Sequence, residues 1–101
     1  MATTSKTLFR GAATTNTATV LYTVPSATTT VVTNIVVTNT AASSGTFTLG
    51  LGGTNLATTV TVGANDSTII DLKQVLTATQ TIIGGASATT INFHIGGVEI
   101  A

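Results

Sequence analysis

The sequence has no cysteine and no tryptophan, and only six of its 101 residues carry a formal charge. Without cysteine there is no disulfide, no thiolate metal site and no thiol nucleophile. Three basic residues balance three acidic ones, so no basic face is available to hold phosphates, and we expect no nucleic-acid partner. No apolar run is long enough to cross a bilayer or to form a signal peptide. This predicts synthesis in a cytoplasm and no membrane partner.

The residues that could carry chemistry are few and scattered. His94 is the single histidine, and its apolar neighbours point to the opposite face of a predicted strand, which indicates a solvated or interface position. Asp66, Asp71 and Glu99 fall in different segments, and Asn65 with Asp66 favours a turn rather than a calcium loop. We therefore predict that the protein is not an enzyme and has no catalytic residue, no metal and no cofactor.

Two glycine pairs, Gly84-Gly85 and Gly96-Gly97, interrupt apolar segments. A phosphate-binding loop would place such glycines immediately before a helix, and neither pair has that context. A bulge or a bend within a strand is the better interpretation of both pairs.

Residues branched at Cβ dominate the composition. Threonine, valine and isoleucine together make up 44 of the 101 residues, and threonine alone accounts for 26. Two heavy atoms on Cβ restrict χ1 and suit a pleated strand better than a helix. A chain of this length forms one domain that buries roughly two-thirds of its unfolded surface. The composition thus predicts a single all-β domain.

Alternation of apolar and polar residues, broken by turn-forming segments, predicts about eight short strands. The breaks contain proline at residue 25 and small, glycine-containing stretches at 41–45, 52–55 and 63–66. The predicted strands are residues 6–10, 19–24, 28–39, 46–51, 56–62, 67–71, 80–86 and 91–95. This spacing favours a two-layer antiparallel β-sandwich, for which a jelly roll is one arrangement.

Strict alternation also predicts which side chains face inward. It divides residues 28–39 into two mainly apolar faces, one with Val31, Ile35 and Val37 and the other with Val32, Asn34 and Val36, so this strand is expected to be buried on both sides for part of its length. In the segment 56–62 the inward residues are Leu56, Val60 and Val62. Residues 71–76 are the one stretch whose pattern is compatible with a helical turn.

The first 18 residues are predicted to form an N-terminal arm with a first edge strand, and residues 19–101 the body of the sandwich. Lys6 and Arg10 place two of the three positive charges in this arm, on either side of Leu8 and Phe9. A basic, partly apolar arm can dock on an acidic partner surface. It can equally be an ordinary edge strand, and the sequence leaves both interpretations open.

The low charge content bears on partners. About a quarter of the residues of a typical soluble domain are charged, against 6% here. Threonine hydroxyls keep a surface hydrated but provide little repulsion between molecules. We infer that much of the surface is covered by copies of the chain or by partners, which predicts a homo-oligomer. A neutral extracellular domain is the alternative.

Four segments resemble small phage virion structural proteins, a group that includes capsid decoration, or cement, proteins. Residues 21–25 read Leu-Tyr-Thr-Val-Pro, and a long valine-rich strand ending in Asn-Thr follows at 28–40. Residues 75–82 and the terminal 96–100 are similar to the same group. The resemblance covers roughly residues 21–101 and omits the arm. Ser26-Ala27 stands where a glycine-containing turn would be expected, so that loop departs from the pattern.

The resemblance implies a virion protein on the capsid surface, present in many copies, that bridges neighbouring capsomers. Its partners would be the major capsid protein and itself, and trimers at local three-fold positions would suit such a joint. Lys6, Leu8, Phe9 and Arg10 would then reach onto a neighbouring subunit. The alternative is a tail or fibre-associated module that binds a partner or host carbohydrate, against which the absence of tryptophan and the single tyrosine count.

Overall fold

Eight β-strands make up residues 3–101, the part of the chain that this computed structural model describes. The strands are β1 (Thr3–Ala12), β2 (Val20–Thr23), β3 (Thr29–Asn39), β4 (Gly45–Leu51), β5 (Thr54–Val62), β6 (Ser67–Leu76), β7 (Thr81–Ala86) and β8 (Ile91–Ile100). Among these residues there is no helix that could span a membrane.

The strands form two four-stranded sheets that pack face to face. Sheet I has the order β1-β8-β3-β6, and sheet II has the order β2-β7-β4-β5. Every neighbouring pair is antiparallel. The predicted two-layer antiparallel sandwich of eight strands is confirmed, while the jelly-roll interpretation is finer than this and stays a prediction.

The core lies between the two sheets and consists of aliphatic side chains around two aromatic rings. Phe47 of sheet II and Phe93 of sheet I meet edge to face, with ring centroids 6.2 Å apart and planes at 73°. Such a pair stabilises a core by more than its buried area alone. The largest fully buried aliphatic residues around it are Ile35, Leu49, Ile82, Ile91 and Ile95.

A line of bulges crosses sheet I at the level of Gly96-Gly97. The register of β1 against β8 shifts at Leu8, and the register of β3 against both β8 and β6 shifts at Thr33. On β6, Leu72 and Lys73 lie opposite the single residue Thr33. The single insertions at Leu8 and Thr33 reverse the phase of alternation in β1 and β3, whereas the two residues of β6 leave its alternation unchanged, and buried side chains therefore stay on the inner face on both sides of the line.

Both glycine pairs allow close approach of neighbouring chain. Neither pair contains the inserted residue of a bulge, so of the two expected interpretations the bulge is wrong and the bend within a strand stays a prediction. A Cβ on Gly97 would lie under 3.0 Å from the Val31 carbonyl oxygen and from Leu8 Cδ1. A Cβ on Gly85 would meet the backbone of Asn16 in the same way. The register shifts at the Gly96-Gly97 level belong to the neighbouring strands.

The bulge at Thr33 overturns the predicted phase of β3. Val32, rather than Val31, shares the buried face with Ile35 and Val37. The outer-face residues Val31 and Val36 are only half-buried, so the expected part of β3 that is buried on both sides is not found.

Two further expectations are wrong. Residues 71–76 continue β6 and form no helical turn, and the helix-like spacing of Leu72, Val75 and Leu76 arises because the apolar Val75 lies on the outer face, where it is 60% exposed. Leu56 is 39% exposed instead of inward, since β5 has two register shifts against β4 and a left-handed backbone at Thr59 (φ 49°).

Replacing Gly97 by alanine should lower the free energy of unfolding by about 1–3 kcal/mol, because the new methyl group must displace backbone of β3 or the core residue Leu8. Urea unfolding monitored by circular dichroism measures this. Gly11→Ala is the matched control, since its Cβ would meet only the Phe9 ring at an ordinary 3.6 Å. Equal stability of the two variants would contradict the close approach.

Candidate functional site

Residues 3–12, which belong to the expected N-terminal arm, form the first strand of sheet I. Strand β1 pairs with β8 from Thr3, opposite Ile100, to Ala12, opposite Asn92. Leu8 is 7% exposed and belongs to the core. Residues 3–12 are therefore an edge strand, which is one of the two interpretations that the sequence left open. Met1 and Ala2 lie outside the described residues.

This placement changes the role of the four predicted contact residues. Leu8 is buried in the core, so it is not available to a neighbouring subunit while β1 stays in the sheet, and Phe9 packs against the core and is only half-buried. Lys6 makes an ion pair with Glu99 at 3.4 Å. Arg10 alone remains exposed on the outer face of sheet I, opposite His94, and has no ion pair among the described residues.

A polar cluster joins the two sheets beside Lys6. The Tyr22 hydroxyl of sheet II donates a hydrogen bond to Glu99 Oε2 of β8 and contacts Thr30 Oγ1 of β3 at 2.8 Å. Lys6 Nζ lies 3.4 Å from both Glu99 carboxylate oxygens. The side chain of Glu99 is 15% exposed and Thr30 is fully buried. The cluster therefore spans four strands at one end of the sandwich.

The electrostatics of this cluster fix its protonation. The hydrogen bond from Tyr22 and the neighbouring Lys6 ammonium lower the pKa of Glu99, against an opposing effect of burial. Burial, and then the hydrogen bond to Glu99, raise the pKa of Tyr22. Glu99 is consequently held ionised and Tyr22 protonated. A carboxylate that already accepts from two donors is suited to holding strands together rather than to proton transfer.

The sequence-based analysis missed this cluster because its members are distant along the chain. Lys6 and Glu99 are separated by 93 positions and Tyr22 and Glu99 by 77. One signal was present: alternation from Ile95 through Gly97 places Glu99 on the inward face, where an acidic side chain needs a partner.

The bulge line also opens a depression of about 420 Å³ on sheet I, lined by Thr33, Asp71, Leu72 and Lys73. No aromatic side chain lines it, and Tyr22 is engaged with Glu99 inside the sandwich. Carbohydrate sites commonly use aromatic faces together with planar polar groups. This geometry gives no support to the carbohydrate-binding alternative.

The other polar residues singled out earlier take structural positions. Asp66 Oδ1 accepts from the backbone N–H of Ser67 at 2.8 Å, and Asn65 has a left-handed backbone (φ 51°), as a turn requires. His94 lies on the outer face between Arg10 and Val36. Over residues 3–101, no three histidine, aspartate or glutamate side chains come together as a metal site would need.

The six charged residues are unevenly distributed between the sheets. Five lie in strands of sheet I, and Asp66 lies in the turn just before β6. None of the strands of sheet II, as the structure describes them, carries a charged side chain. The outer face of sheet II instead presents Thr46, Thr48 and Thr61 together with Val20 and Ile83.

Comparison with known proteins adds no assignment: no family model matches the chain, and no curated protein matches it. The features that bear on function are thus the charge-free face of sheet II, the charged edges of sheet I and the partly buried Tyr22–Glu99 cluster.

Replacing Tyr22 by phenylalanine should lower the free energy of unfolding at pH 7 by about 1–2 kcal/mol, because Glu99 and Thr30 lose a hydrogen-bonding partner. The loss should depend on pH. The lowered pKa of Glu99 gives a stabilisation that is complete above its unfolded value and disappears as the pH falls through its folded value. The raised pKa of Tyr22 gives a second stabilisation. It is complete below the unfolded value of 10.0 and disappears as the pH rises through the higher folded value.

The difference between wild type and Tyr22→Phe should therefore shrink at both acid and alkaline pH in urea titrations. Glu99→Gln is the control, since glutamine still accepts a hydrogen bond but does not titrate, and its acid dependence should be weaker than that of the wild type. A difference that stays constant across the pH range would contradict the coupling between Tyr22 and Glu99.

Proposed function

We propose that the protein is a phage capsid decoration protein, a structural component without enzymatic activity that lies across neighbouring capsomers and stabilises the shell. The proposal draws on the resemblance of residues 21–101 to small virion proteins and on the surface of the sandwich. Under it, the chain is located on the capsid surface, and its principal partner is the major capsid protein.

The order of the strands supports the jelly-roll interpretation that accompanies this proposal. Within the sheets, β1 lies beside β8, β2 beside β7, β3 beside β6 and β4 beside β5. These are the four pairs of one long antiparallel ribbon folded back on itself, and rolling that ribbon brings β8 beside β3 and β7 beside β4. Eight-stranded jelly rolls occur in viral capsid proteins, although they occur in lectins and enzymes too.

The charge-free outer face of sheet II is the observation that carries the proposal. Charged residues are depleted in the centres of protein interfaces, because a buried charge without a partner is costly. Here the depletion extends over all four strands, and Val20 is 56% exposed on that face. A solvent-facing sheet usually carries both signs of charge for solubility. The face of sheet II therefore has the composition of a covered surface.

A contact of this kind stabilises a shell without any chemistry. Roughly 25 cal/mol is gained for each Å² of apolar surface removed from water. A joint of about 400 Å² would thus contribute roughly 10 kcal/mol before the costs of association, which remove much of it. Many identical copies on one shell multiply what remains.

The proposed contact replaces the one expected from the sequence. Leu8 and Phe9 are occupied by the core, and Lys6 is held by Glu99. A mechanism in which residues 1–10 reach onto a neighbouring subunit would require β1 to leave sheet I and expose Leu8. Docking through the face of sheet II requires no such rearrangement.

The test compares one substitution on the two outer faces. Thr61→Lys places a charge in the proposed interface, and Thr38→Lys places the same charge on the outer face of sheet I. We expect Thr61→Lys to reduce binding to capsids at least tenfold, roughly the effect of an unpaired buried charge, and Thr38→Lys to leave it nearly unchanged. Co-sedimentation with particles that lack the protein measures the bound fraction, and circular dichroism confirms folding.

Equal binding by both variants would exclude the face of sheet II as the contact. Cryo-electron microscopy of the particle that contains the chain tests the location itself. Density for the protein on tails or fibres alone would overturn the capsid assignment and favour the tail-associated module.

A further inference from the structure

Sheet I ends in two long, open strands. Strands β1 and β6 each have ten residues, and within residues 3–101 no backbone hydrogen bond from another segment reaches the outer edge of either strand. The edges of sheet II are less regular: β2 has four residues and is followed closely by Pro25, and β5 is interrupted by two register shifts. Unpaired edge strands are templates for pairing with another chain.

The two edges of sheet I differ in charge. Strand β1 carries the cations Lys6 and Arg10 and no acidic residue, whereas β6 carries Asp71 and Lys73. Because Lys6 is paired with Glu99 of its own chain, Arg10 is the cation of β1 that remains for an external partner. Both Arg10 and Asp71 are exposed and lie on the outer face of the sheet.

The directions of the strands allow the two edges to pair. Three successive antiparallel steps lead from β1 through β8 and β3 to β6, so β1 and β6 run in opposite directions. Strand β1 of a second copy, placed beside β6 in the same orientation, would therefore continue sheet I as a further antiparallel strand.

The bulges select one register for this pairing. If the bulge at Leu8 is aligned with that at Leu72 and Lys73, and inward residues are kept opposite inward residues, then Phe9 faces Leu72 and Arg10 faces Asp71. A slip of two residues keeps the faces but places Arg10 opposite either Lys73, which repels it, or Ile69, which offers no charge. A slip of one residue inverts the faces.

We propose that sheet I binds a second copy of this chain by edge-to-edge pairing of β1 with β6, in the register that places Arg10 opposite Asp71 of the other copy. The contact is head to tail, because the two surfaces differ. It generates a ring where the rotation between copies closes and a filament where it does not.

Charges and bulges on an edge strand usually prevent pairing, and here they restrict it. A partner with a flat edge cannot follow the bend of sheet I, and a partner with a cation at the level of Arg10 is repelled. The complementary edge of the same protein satisfies both conditions. The features that block unspecific aggregation thus leave one register open.

This contact between copies deepens the proposed function, because a decoration protein is expected to associate with itself. The edge-to-edge pairing rests on the proposed function only through that expectation. It uses the edges of sheet I, whereas the proposed capsid contact uses the face of sheet II. The purified protein tests it without any capsid, so failure of either proposal leaves the other standing.

Disulfide trapping tests the register directly, because the chain contains no cysteine of its own. Arg10→Cys and Asp71→Cys proteins are mixed, oxidised and run on a non-reducing gel. Residues directly opposite each other in antiparallel strands have Cβ atoms roughly 5 Å apart, close enough for a disulfide after small adjustments. We expect a covalent dimer that contains one chain of each type, identified by giving the two proteins different masses.

Ala12→Cys mixed with Val75→Cys is the matched control. These residues lie on the same two edges, but the proposed register separates them by about 20 Å along the strands, so little dimer is expected. Dimers formed by Arg10→Cys alone or by Asp71→Cys alone would indicate two-fold pairing of like edges and would overturn the proposal. Equal yields from the control mixture would overturn it as well.

Charge reversal provides a second measurement that needs no oxidation. Arg10→Asp should weaken self-association roughly fivefold or more in sedimentation equilibrium, because two carboxylates then face each other. Adding Asp71→Arg to the same chain should restore it. A wild-type protein that remains monomeric at its highest soluble concentration, or a double variant no better than the single one, would overturn the proposed pairing.

Discussion

The line of bulges across sheet I sets the face of every side chain in that sheet. Strand alternation has a period of two, so one inserted residue exchanges the inner and outer faces beyond it. The single insertions at Leu8 and Thr33 occur at the same level as the pair 72–73 of β6, which leaves the phase of β6 unchanged because it contains two residues. The four strands therefore remain in phase with one another on both sides of the line. The close approach at Gly96-Gly97 is part of the same bend, since a side chain on Gly97 would collide with the Val31 carbonyl. The inward position of Leu8 and the outward position of Arg10 both follow from it.

The same bulges explain where prediction from the sequence succeeded and where it failed. The fold class and all eight strands could be predicted, because Cβ-branched residues and glycine-rich or proline-containing breaks are local signals. The phase of β3 could not, since nothing local marks Thr33 as an extra residue. Residues 71–76 resembled a helical turn because Val75, an apolar residue on the outer face, completes a spacing of three and four with Leu72 and Leu76. The Tyr22–Glu99 cluster depends on contacts between residues that are distant along the chain. The one local signal for it was the alternation of β8, which places the acidic Glu99 on the inward face.

The cluster of Lys6, Tyr22 and Glu99 explains how a chain with few charges secures its first strand. Strand β1 lies at an edge and has only one neighbour in the sheet, so its stability depends on what its side chains contact. Leu8 enters the core, and Lys6 is held by a carboxylate that is in turn bonded to Tyr22 of the opposite sheet. The exposed ion pair alone would contribute little. Its connection to a partly buried phenol–carboxylate hydrogen bond is what ties β1 to both layers.

The distribution of charge gives the two sheets different capacities for contact. Charges on the edges of sheet I limit the partners those edges can accept, and they act mainly through repulsion of incorrect registers. The strands of sheet II carry no charged side chain, so their outer face lacks this means of discriminating between partners. On a repetitive shell the two would reinforce each other, because a copy held by its neighbour through β1 and β6 meets the surface at a high effective concentration. Specific contacts between copies would then position the protein, and the neutral face would need only modest affinity at each place where it touches the shell.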